Sequence, residues 1–241
     1  MKIFSQTDVG KVRSSNQDAF FAGELENGAA FGIVCDGMGG ANAGNIASET
    51  AVKVISDYIL RSYRIGMNEF DIEKMLKNAM DNANLEIYEL SSSKEEYTGM
   101  GTTAVVALIQ NGKAIIANVG DSRIYLIDED ISQLTRDHSV VQSLIESGKI
   151  SPEDAKVHPR KNVITRALGT ENSIIADTSA VDLNEGSVLL LCTDGLSSYV
   201  DKPDILKTFK EKSPEKVPKE LIKLANSAGG GDNITVVTLV C

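Results

Sequence analysis

The chain has 241 residues, 42% of them hydrophobic and 24% charged, with a formal net charge of −10. A chain of this length can bury a large core without disulfides or a structural metal, and we expect one domain over residues 1–241. The acidic balance argues against a nucleic-acid binder and against docking on an anionic membrane, since both need clustered basic residues.

Hydrophobic periodicity predicts one buried strand and two helices in the first hundred residues. The strand covers residues 29–35 and ends at Asp36. The helices cover residues 42–63 and 71–90, where apolar side chains recur every three or four positions.

The middle of the chain changes to a strand pattern. Residues 102–109 and 113–119 are predicted to form a hairpin through Asn111-Gly112, a strong turn signal, and residues 123–127 a third antiparallel strand. The later predicted elements are a helix over 137–149, a polar stretch to Arg160, a buried strand over 188–192, helices at about 203–212 and 214–227, and a strand over 234–240. Hairpins combined with paired helices favour an α+β fold of antiparallel sheets covered by helices.

Three aspartates stand at the edges of apolar strands. Asp36 and Asp194 each follow a strand and precede a glycine, and Asp232 lies just before the last strand. Asp-Gly after a strand also forms ordinary turns. Strand ends in one core come together, however, and clustered carboxylates repel one another unless a cation lies between them. Oxygen ligands select Mg²⁺ or Mn²⁺ over Zn²⁺.

The remaining polar residues argue against a zinc site and are compatible with binding of a phosphoryl group. His138 and His158 lack the spacing of a zinc site and fit surface or capping residues. Arg13 suits a phosphoryl group because its guanidinium matches two phosphate oxygens, although a surface charge is the alternative. Asp121, between Gly120 and Ser122, fits either a site residue or a hairpin turn.

The three cysteines, Cys35, Cys192 and Cys241, have no regular spacing and form no disulfide framework. Cys35 and Cys192 lie in apolar strands without an arginine six residues later, so we interpret them as structural thiols. The first residues lack the apolar segment of a signal peptide, and no apolar run approaches a membrane span. We expect a soluble, cytoplasmic monomer with no membrane anchor.

Six segments together resemble the successive motifs of the protein phosphatase 2C (PPM) family. They are VRSSNQD (12–18), CDGMGG (35–40), GMGTT (99–103), NVGDSR (118–123), CTDG (192–195) and DNIT (232–235). They follow the family's order from about residue 7 onwards. The short form is similar to bacterial members that reverse Hanks-type Ser/Thr kinases.

The resemblance implies a four-layer αββα sandwich, with two antiparallel sheets flanked by helix pairs. It also implies two core Mn²⁺ or Mg²⁺ ions, with Asp36 bridging them and the Gly37 carbonyl helping to hold one. The other implied roles are metal binding by Asp194 and Asp232, an acidic side chain beside the second metal at Asp18, a third, weaker metal at Asp121 with Asp194, and phosphate binding by Arg13.

Two positions depart from the family pattern. Met38 stands where many eukaryotic members have a histidine proposed as general acid, and a thioether cannot donate a proton. Metal-bound water is then the expected proton source. Gln17 stands where many relatives have Glu, so Asp18 is expected to supply the charge on that side.

The hypothesis is a metal-dependent phosphatase for phosphoserine and phosphothreonine in proteins, acting by in-line attack of a dimetal-bridging hydroxide. We expect a flap at about residues 137–166, whose basic residues contact acidic substrates, although a solvated surface segment is the alternative. The expected partners are phosphoproteins, including a cognate Ser/Thr kinase. The rival functions are an inactive phosphopeptide-binding relative, a divalent-ion-binding module, and a nucleotide or small-ester phosphohydrolase.

Overall fold

A computed structural model describes residues 1–40 and 43–241 and contains two antiparallel sheets packed face to face. The first sheet contains, in spatial order, β1 (Lys2–Asp8), β11 (Ile234–Val240), β10 (Val188–Cys192), β7 (Arg123–Ile127) and β8 (Ile131–Gln133). The second contains β2 (Asp18–Glu24), β3 (Ala30–Met38), β5 (Ala104–Gln110), β6 (Lys113–Val119) and β9 (Asp177–Asp182), with the two-residue β4 (Gly101–Thr102) paired to β3.

A pair of helices covers the outer face of each sheet. The helices α1 (Ala43–Ser62) and α2 (Glu69–Ser93) pack on the second sheet, and α6 (Lys202–Glu211) and α7 (Val217–Ser227) pack on the first. Three short helices are α3 (Val140–Glu146), α4 (Pro152–Val157) and α5 (Asp194–Ser197). This αββα arrangement confirms the predicted α+β fold. In the described part of the chain, no helix is both long and apolar enough to span a membrane.

Strand alternation divides the core into layers and gives each strand two chemically different faces. In β3, Phe31 and Ile33 face the α1–α2 layer, whereas Val34 faces the other sheet. In β11, Val236 faces the α6–α7 layer, whereas Leu239 lies between the sheets. Because side chains alternate, a polar residue two positions beyond an inter-sheet residue lies at the edge of that same layer.

The strand predictions hold best for the central strands. The 113–119, 123–127, 188–192 and 234–240 predictions match β6, β7, β10 and β11. The hairpin at Asn111-Gly112 is confirmed, with φ angles of 51° and 70°. β7 is antiparallel as predicted, but it belongs to the other sheet and pairs with β10 and β8.

Three boundaries were wrong. β3 does not end at Asp36 but continues to Met38, because Gly37 and Met38 pair with β4. The strand predicted over 102–109 is interrupted at Thr103, whose amide donates to the Asp36 carbonyl. The helix over 137–149 is reduced to α3, because Ser139 caps its start with an extended backbone.

Other elements lie near or outside the predictions. The first and second predicted helices correspond to α1 and α2, although Asn42 lies outside the described residues. The last two correspond to α6 and to a short 3₁₀ turn followed by α7. The polar stretch contains the unpredicted α4, which Ser151 and Asp154 stabilise as a capping box.

The inter-sheet layer generates a stability prediction. Leu239 is completely buried there, and its replacement by alanine leaves a cavity. We expect Leu239→Ala to lower the free energy of unfolding by about 2–5 kcal/mol. Urea denaturation measures the change, with Leu85→Ala on the exposed side of α2 as the matched control, expected within about 0.5 kcal/mol of wild type. Equal effects of the two substitutions would contradict the layer assignment.

Candidate active site

Asp18 and Asp36 form a cross-strand pair at one end of the inter-sheet layer. They are register partners in β2 and β3, and each lies two residues from an inter-sheet side chain, Phe20 or Val34. Two carboxylates are therefore brought together at the edge of an apolar core.

Two threonines hold one oxygen of Asp18. The Thr193 and Thr235 hydroxyls donate to its Oδ2 at 2.9 and 2.7 Å. Its other oxygen, Oδ1, is buried and has no hydrogen-bond partner among the described residues. Neither threonine was predicted as a site residue from the sequence, although Thr193 directly precedes Asp194 and Thr235 lies in the Asp232 motif.

The other predicted aspartates surround this pair from three different connections. Asp194 is the first residue of α5, one residue after β10 ends, and its Oδ1 is also buried with no donor in the described part of the chain. Asp232 lies in the loop before β11, and Asp121 lies in the turn between β6 and β7. All are partly buried.

Burial and mutual repulsion shift the ionisation of this cluster. Burial, together with nearby Asp194, raises the pKa of Asp18 and of Asp121 to about 7. Burial and the charge of Asp232 raise the pKa of Asp194 to about 6. The pKa of Asp36 is raised well above its usual value by burial and by the surrounding carboxylates. The site as it stands carries more negative charge than its surroundings stabilise.

Gly37 allows the backbone after Asp36 to pass against the start of α1. A Cβ atom there would lie 2.0 Å from the Gly44 carbonyl oxygen and 2.6 Å from the Gln17 carbonyl oxygen. Glycine is therefore required at this position for packing. The Gly37 amide donates to the Gln17 carbonyl, which ties the Asp36–Gly37 segment to the chain just before Asp18.

Arg13 reaches the cluster from the loop between β1 and β2. Its Nη2 donates to Asp232 Oδ2 at 2.9 Å, and the side chain is half-exposed. The hydrogen bond and charge of Asp232 raise the pKa of Arg13, with smaller contributions from Asp36 and Asp194. A guanidinium thus stands at the solvent side of the carboxylates.

Asn233 holds the loop that carries Arg13. Its side-chain amide donates to the Val9 and Ser15 carbonyls, both at 2.9 Å, and its oxygen accepts from the Gln17 amide at 2.8 Å. The residue after Asp232 therefore fixes the segment before Asp18. Asn233 belongs to the DNIT motif, but the motif alone did not predict this role.

The histidine and cysteine predictions have different outcomes. His138 is almost fully buried, so its interpretation as a surface residue or a substrate contact was wrong. His158 follows α4 as its C-cap, as the capping interpretation predicted. Cys35 and Cys192 are buried thiols whose pKa values burial raises, which agrees with a structural role.

The donor set fits divalent cations. It consists of carboxylate oxygens, two of them buried without a hydrogen-bond donor, in a site where negative charge is uncompensated. Across residues 1–40 and 43–241, no three His, Cys, Asp or Glu side chains already have the spacing of a closed ligand set. The individual metal roles of these aspartates therefore stay predictions.

A scan against family models matches residues 10–220 to the model described as protein phosphatase 2C. The chain belongs to the protein phosphatase 2C family. It is a protein-serine/threonine phosphatase by that membership, and metal dependence is general for the family.

Relatives and solved structures agree with this assignment. The chain is 42% identical over 235 residues to the serine/threonine phosphatase Stp of Listeria innocua, covering 96% of this chain and 92% of the relative. It superposes on the Streptococcus agalactiae serine/threonine phosphatase with a TM-score of 0.91 and 38% identity, over 98% of each chain. It also matches the catalytic domain of the phosphatase PstP in complex with two manganese ions, at 30% identity, a TM-score of 0.85, and 99% and 97% coverage.

The raised pKa values generate a prediction for the cation-free protein. Asp18 and Asp121 titrate near 7 and Asp194 near 6, whereas unfolded aspartates titrate at about 3.9. The folded state binds more protons between about pH 4 and 7, so these groups lower the free energy of unfolding as the pH rises through that range. A cation that replaces the protons restores stability, so Mn²⁺ should raise the melting temperature more at pH 7.5 than at pH 5.5.

Thermal unfolding with EDTA or MnCl₂ at the two pH values tests this, with NaCl at matched ionic strength as the control for screening. The same Mn²⁺ shift at both pH values would count against a carboxylate cluster that exchanges protons for cations.

Proposed function

We propose that this enzyme hydrolyses phosphoserine and phosphothreonine in proteins with Mn²⁺ or Mg²⁺ bound among Asp18, Asp36, Gly37, Asp194 and Asp232. The observation that carries the proposal is the convergence of buried, uncompensated carboxylates beside an exposed guanidinium at one end of the inter-sheet layer. When bound, such cations lower the pKa of a water, which becomes a nucleophile at neutral pH, and offset phosphate charge. The complex of PstP with two manganese ions supports two ions in the core.

In this proposal the aspartates bind the cations, and Arg13 orients the phosphate. Asp36 would be the carboxylate shared by the two cations, because the charges of Asp18, Asp194 and Asp232 all act on it. Arg13 would bind two non-reacting phosphate oxygens, for which it must share or exchange its contact with Asp232. We propose that a third, weaker cation binds between Asp121 and Asp194, whose charge contributes to the raised pKa of Asp121.

We propose direct attack of water in line with the leaving oxygen, without a phosphoenzyme. The buried thiols Cys35 and Cys192 are poor nucleophiles because their pKa values are raised. Met38 carries no transferable proton, so water protonates the leaving oxygen. This chemistry needs no nucleophilic side chain, only precise positions for Asp36 and Arg13.

The substrate path is proposed from a groove of about 730 Å³ beside the cluster, a volume typical of ligand sites. The groove shares Asp121 and Asp194 with the cluster and is also lined by part of residues 137–166, which we propose as a flap. Four basic side chains line it, namely Arg123, Lys156, Lys161 and Lys202.

Two of these basic residues are already neutralised. Arg123 binds Asp137 at 2.6 Å and Lys156 binds Asp201 at 2.8 Å. Lys161 and Lys202 have no carboxylate within ion-pair distance among the described residues. With cations offsetting the aspartates, the groove is positive and complements acidic residues next to the phosphorylated one.

We propose that the enzyme acts in the cytoplasm and reverses phosphorylation by a Ser/Thr kinase, including phosphorylation of that kinase. The bacterial phosphatases to which the chain is similar support a signalling role. Comparison of phosphoproteins in cells with and without the gene identifies the substrates, and an unchanged kinase phosphorylation state would contradict this part.

Asp36→Asn tests the central carboxylate. We expect kcat/KM for p-nitrophenyl phosphate with Mn²⁺ to fall by about 100- to 1,000-fold, because cation binding supplies several kcal/mol of transition-state stabilisation. The matched control is Asp57→Asn on the surface of α1, which makes the same charge change and should leave turnover unaltered. Near-wild-type turnover of Asp36→Asn would contradict the proposal.

The rival functions give different results in simple assays. Hydrolysis of p-nitrophenyl phosphate that needs Mn²⁺ and is abolished by EDTA excludes an inactive phosphopeptide binder and a simple ion-binding module. A panel of phosphopeptides and nucleotides separates a protein phosphatase from a nucleotide or small-ester phosphohydrolase, which would prefer the smaller compounds.

The groove generates a specificity prediction. We expect the double substitution Lys161→Ala/Lys202→Ala to lower kcat/KM for an acidic phosphopeptide by about 2- to 30-fold, because exposed ion pairs contribute about 0.2–1 kcal/mol each. Hydrolysis of p-nitrophenyl phosphate should not change. The control Lys210→Ala/Lys219→Ala removes two positive charges that do not line the groove. Equal losses on both substrates, or an equal loss in the control, would oppose the proposed path.

A further inference from the structure

His138 is a buried imidazole at the base of the proposed flap. It is 1% exposed, and its carbonyl accepts from the Thr165 amide at 2.8 Å. The neighbouring Ser139 forms a β-bridge with Ile164. The two ends of the proposed flap, at about residues 137–166, therefore meet at His138. The His138 ring is buried too deeply to contact substrate.

Both the backbone and the ring of His138 bind Gly120. The His138 amide donates to the Gly120 carbonyl at 2.9 Å, and the Gly120 amide donates to Nδ1 of the ring at 3.1 Å. Gly120 is the residue before Asp121. Since a backbone N–H is only a donor, Nδ1 must be the acceptor and cannot carry a hydrogen.

The other ring nitrogen must therefore carry the hydrogen. Nε2 lies 3.1 Å from Asp177 Oδ2 and 3.2 Å from Arg166 Nη1. Arginine has no acceptor, so Nε2–H donates to Asp177. Arg166 itself donates to the other oxygen of Asp177 at 2.7 Å. The ring is thus a neutral imidazole in a single tautomer. Its Nδ1 accepts from Gly120, and its Nε2–H donates to Asp177.

A short chain of contacts continues from Gly120 to the centre of the site. Gly120 has a φ of +107°, and a Cβ there would lie 2.6 Å from Thr103 Cβ. The Thr103 hydroxyl bonds to the Ser122 hydroxyl at 2.7 Å and accepts from the Asp36 amide at 3.0 Å. Asp121 is therefore held between two anchored neighbours, and one of the anchors also fixes Asp36.

We propose that His138 is a positioning residue whose Nδ1 holds the Gly120–Ser122 turn, and with it Asp121, in register with Asp36. This inference rests on the proposed function for its consequence, because a displaced Asp121 weakens cation binding. A plain structural role would require only that the ring fill its space and bind Asp177. The two roles use different ring nitrogens, which makes them separable.

Two substitutions separate the nitrogens of His138. In His138→Asn, the side-chain oxygen can take the position of Nδ1 and accept from Gly120, whereas the contact with Asp177 is lost. In His138→Gln, the longer side chain can place its NH₂ near the position of Nε2 and keep Asp177, whereas the acceptor for Gly120 is lost. Melting temperatures in EDTA show whether both variants fold.

The direct readout is exchange of the Gly120 amide in the cation-free protein, followed by NMR. We expect exchange to be about tenfold faster in His138→Gln, the equivalent of one lost hydrogen bond, and close to wild type in His138→Asn. The second readout is the Mn²⁺ concentration for half-maximal hydrolysis of p-nitrophenyl phosphate, which should rise in His138→Gln and not in His138→Asn.

Wild-type exchange in His138→Gln, or equal exchange and Mn²⁺ dependence in the two variants, would overturn the proposal. If His138→Asn does not fold, Asp177→Ala replaces it, because it removes the partner of Nε2 at a half-exposed position and should leave Gly120 protected. Gly120 exchange does not depend on activity. An inactive protein with the expected exchange pattern would refute the proposed function and keep the role of His138 in holding the turn.

Discussion

The structure depends on one electrostatic constraint, which is the repulsion among aspartates gathered at the end of a dry inter-sheet layer. Asp18 and Asp36 are placed there by strand pairing, and Asp194 is placed there by the turn after β10. Nothing in the described protein neutralises all of them, since Arg13 is bound to Asp232. The fold therefore forces charges together that become stable only with protons or cations. Under the proposed function, the backbone topology that gathers these carboxylates also gives the site its affinity for cations.

A strand or turn could be predicted from the sequence when a short run of neighbouring residues indicated it. The apolar runs before Asp36 and Asp194 predicted central strands, and the Asn111-Gly112 turn predicted its hairpin. The strands that were missed are the four sheet edges, β1, β2, β8 and β9. Edge strands face water on one side, and β1, β8 and β9 contain no more than two consecutive apolar residues. β2 is the exception, because it carries an apolar run over residues 19–22 that was overlooked.

The features of the site that were not predicted from the sequence also depend on contacts between distant residues. The burial of His138 follows from contacts with Gly120 and Asp177, which lie 18 and 39 residues away. Asp18 is held by threonines from β11 and from the end of β10, and no local pattern shows that these are its partners. The motifs supplied the residue types, whereas the donors that hold them were visible only after the two sheets were assembled.

The pairing of β1 with β11 also determines when the enzyme can become active during its synthesis. Arg13 and Asp18 are synthesised more than 200 residues before Asp232 and the threonine of β11 that holds Asp18. β11 lies between β1 and β10, so the first sheet cannot be completed until that segment has been made. Under the proposed function, a nascent chain that stops before β11 lacks part of the site, so phosphatase activity requires translation through β11.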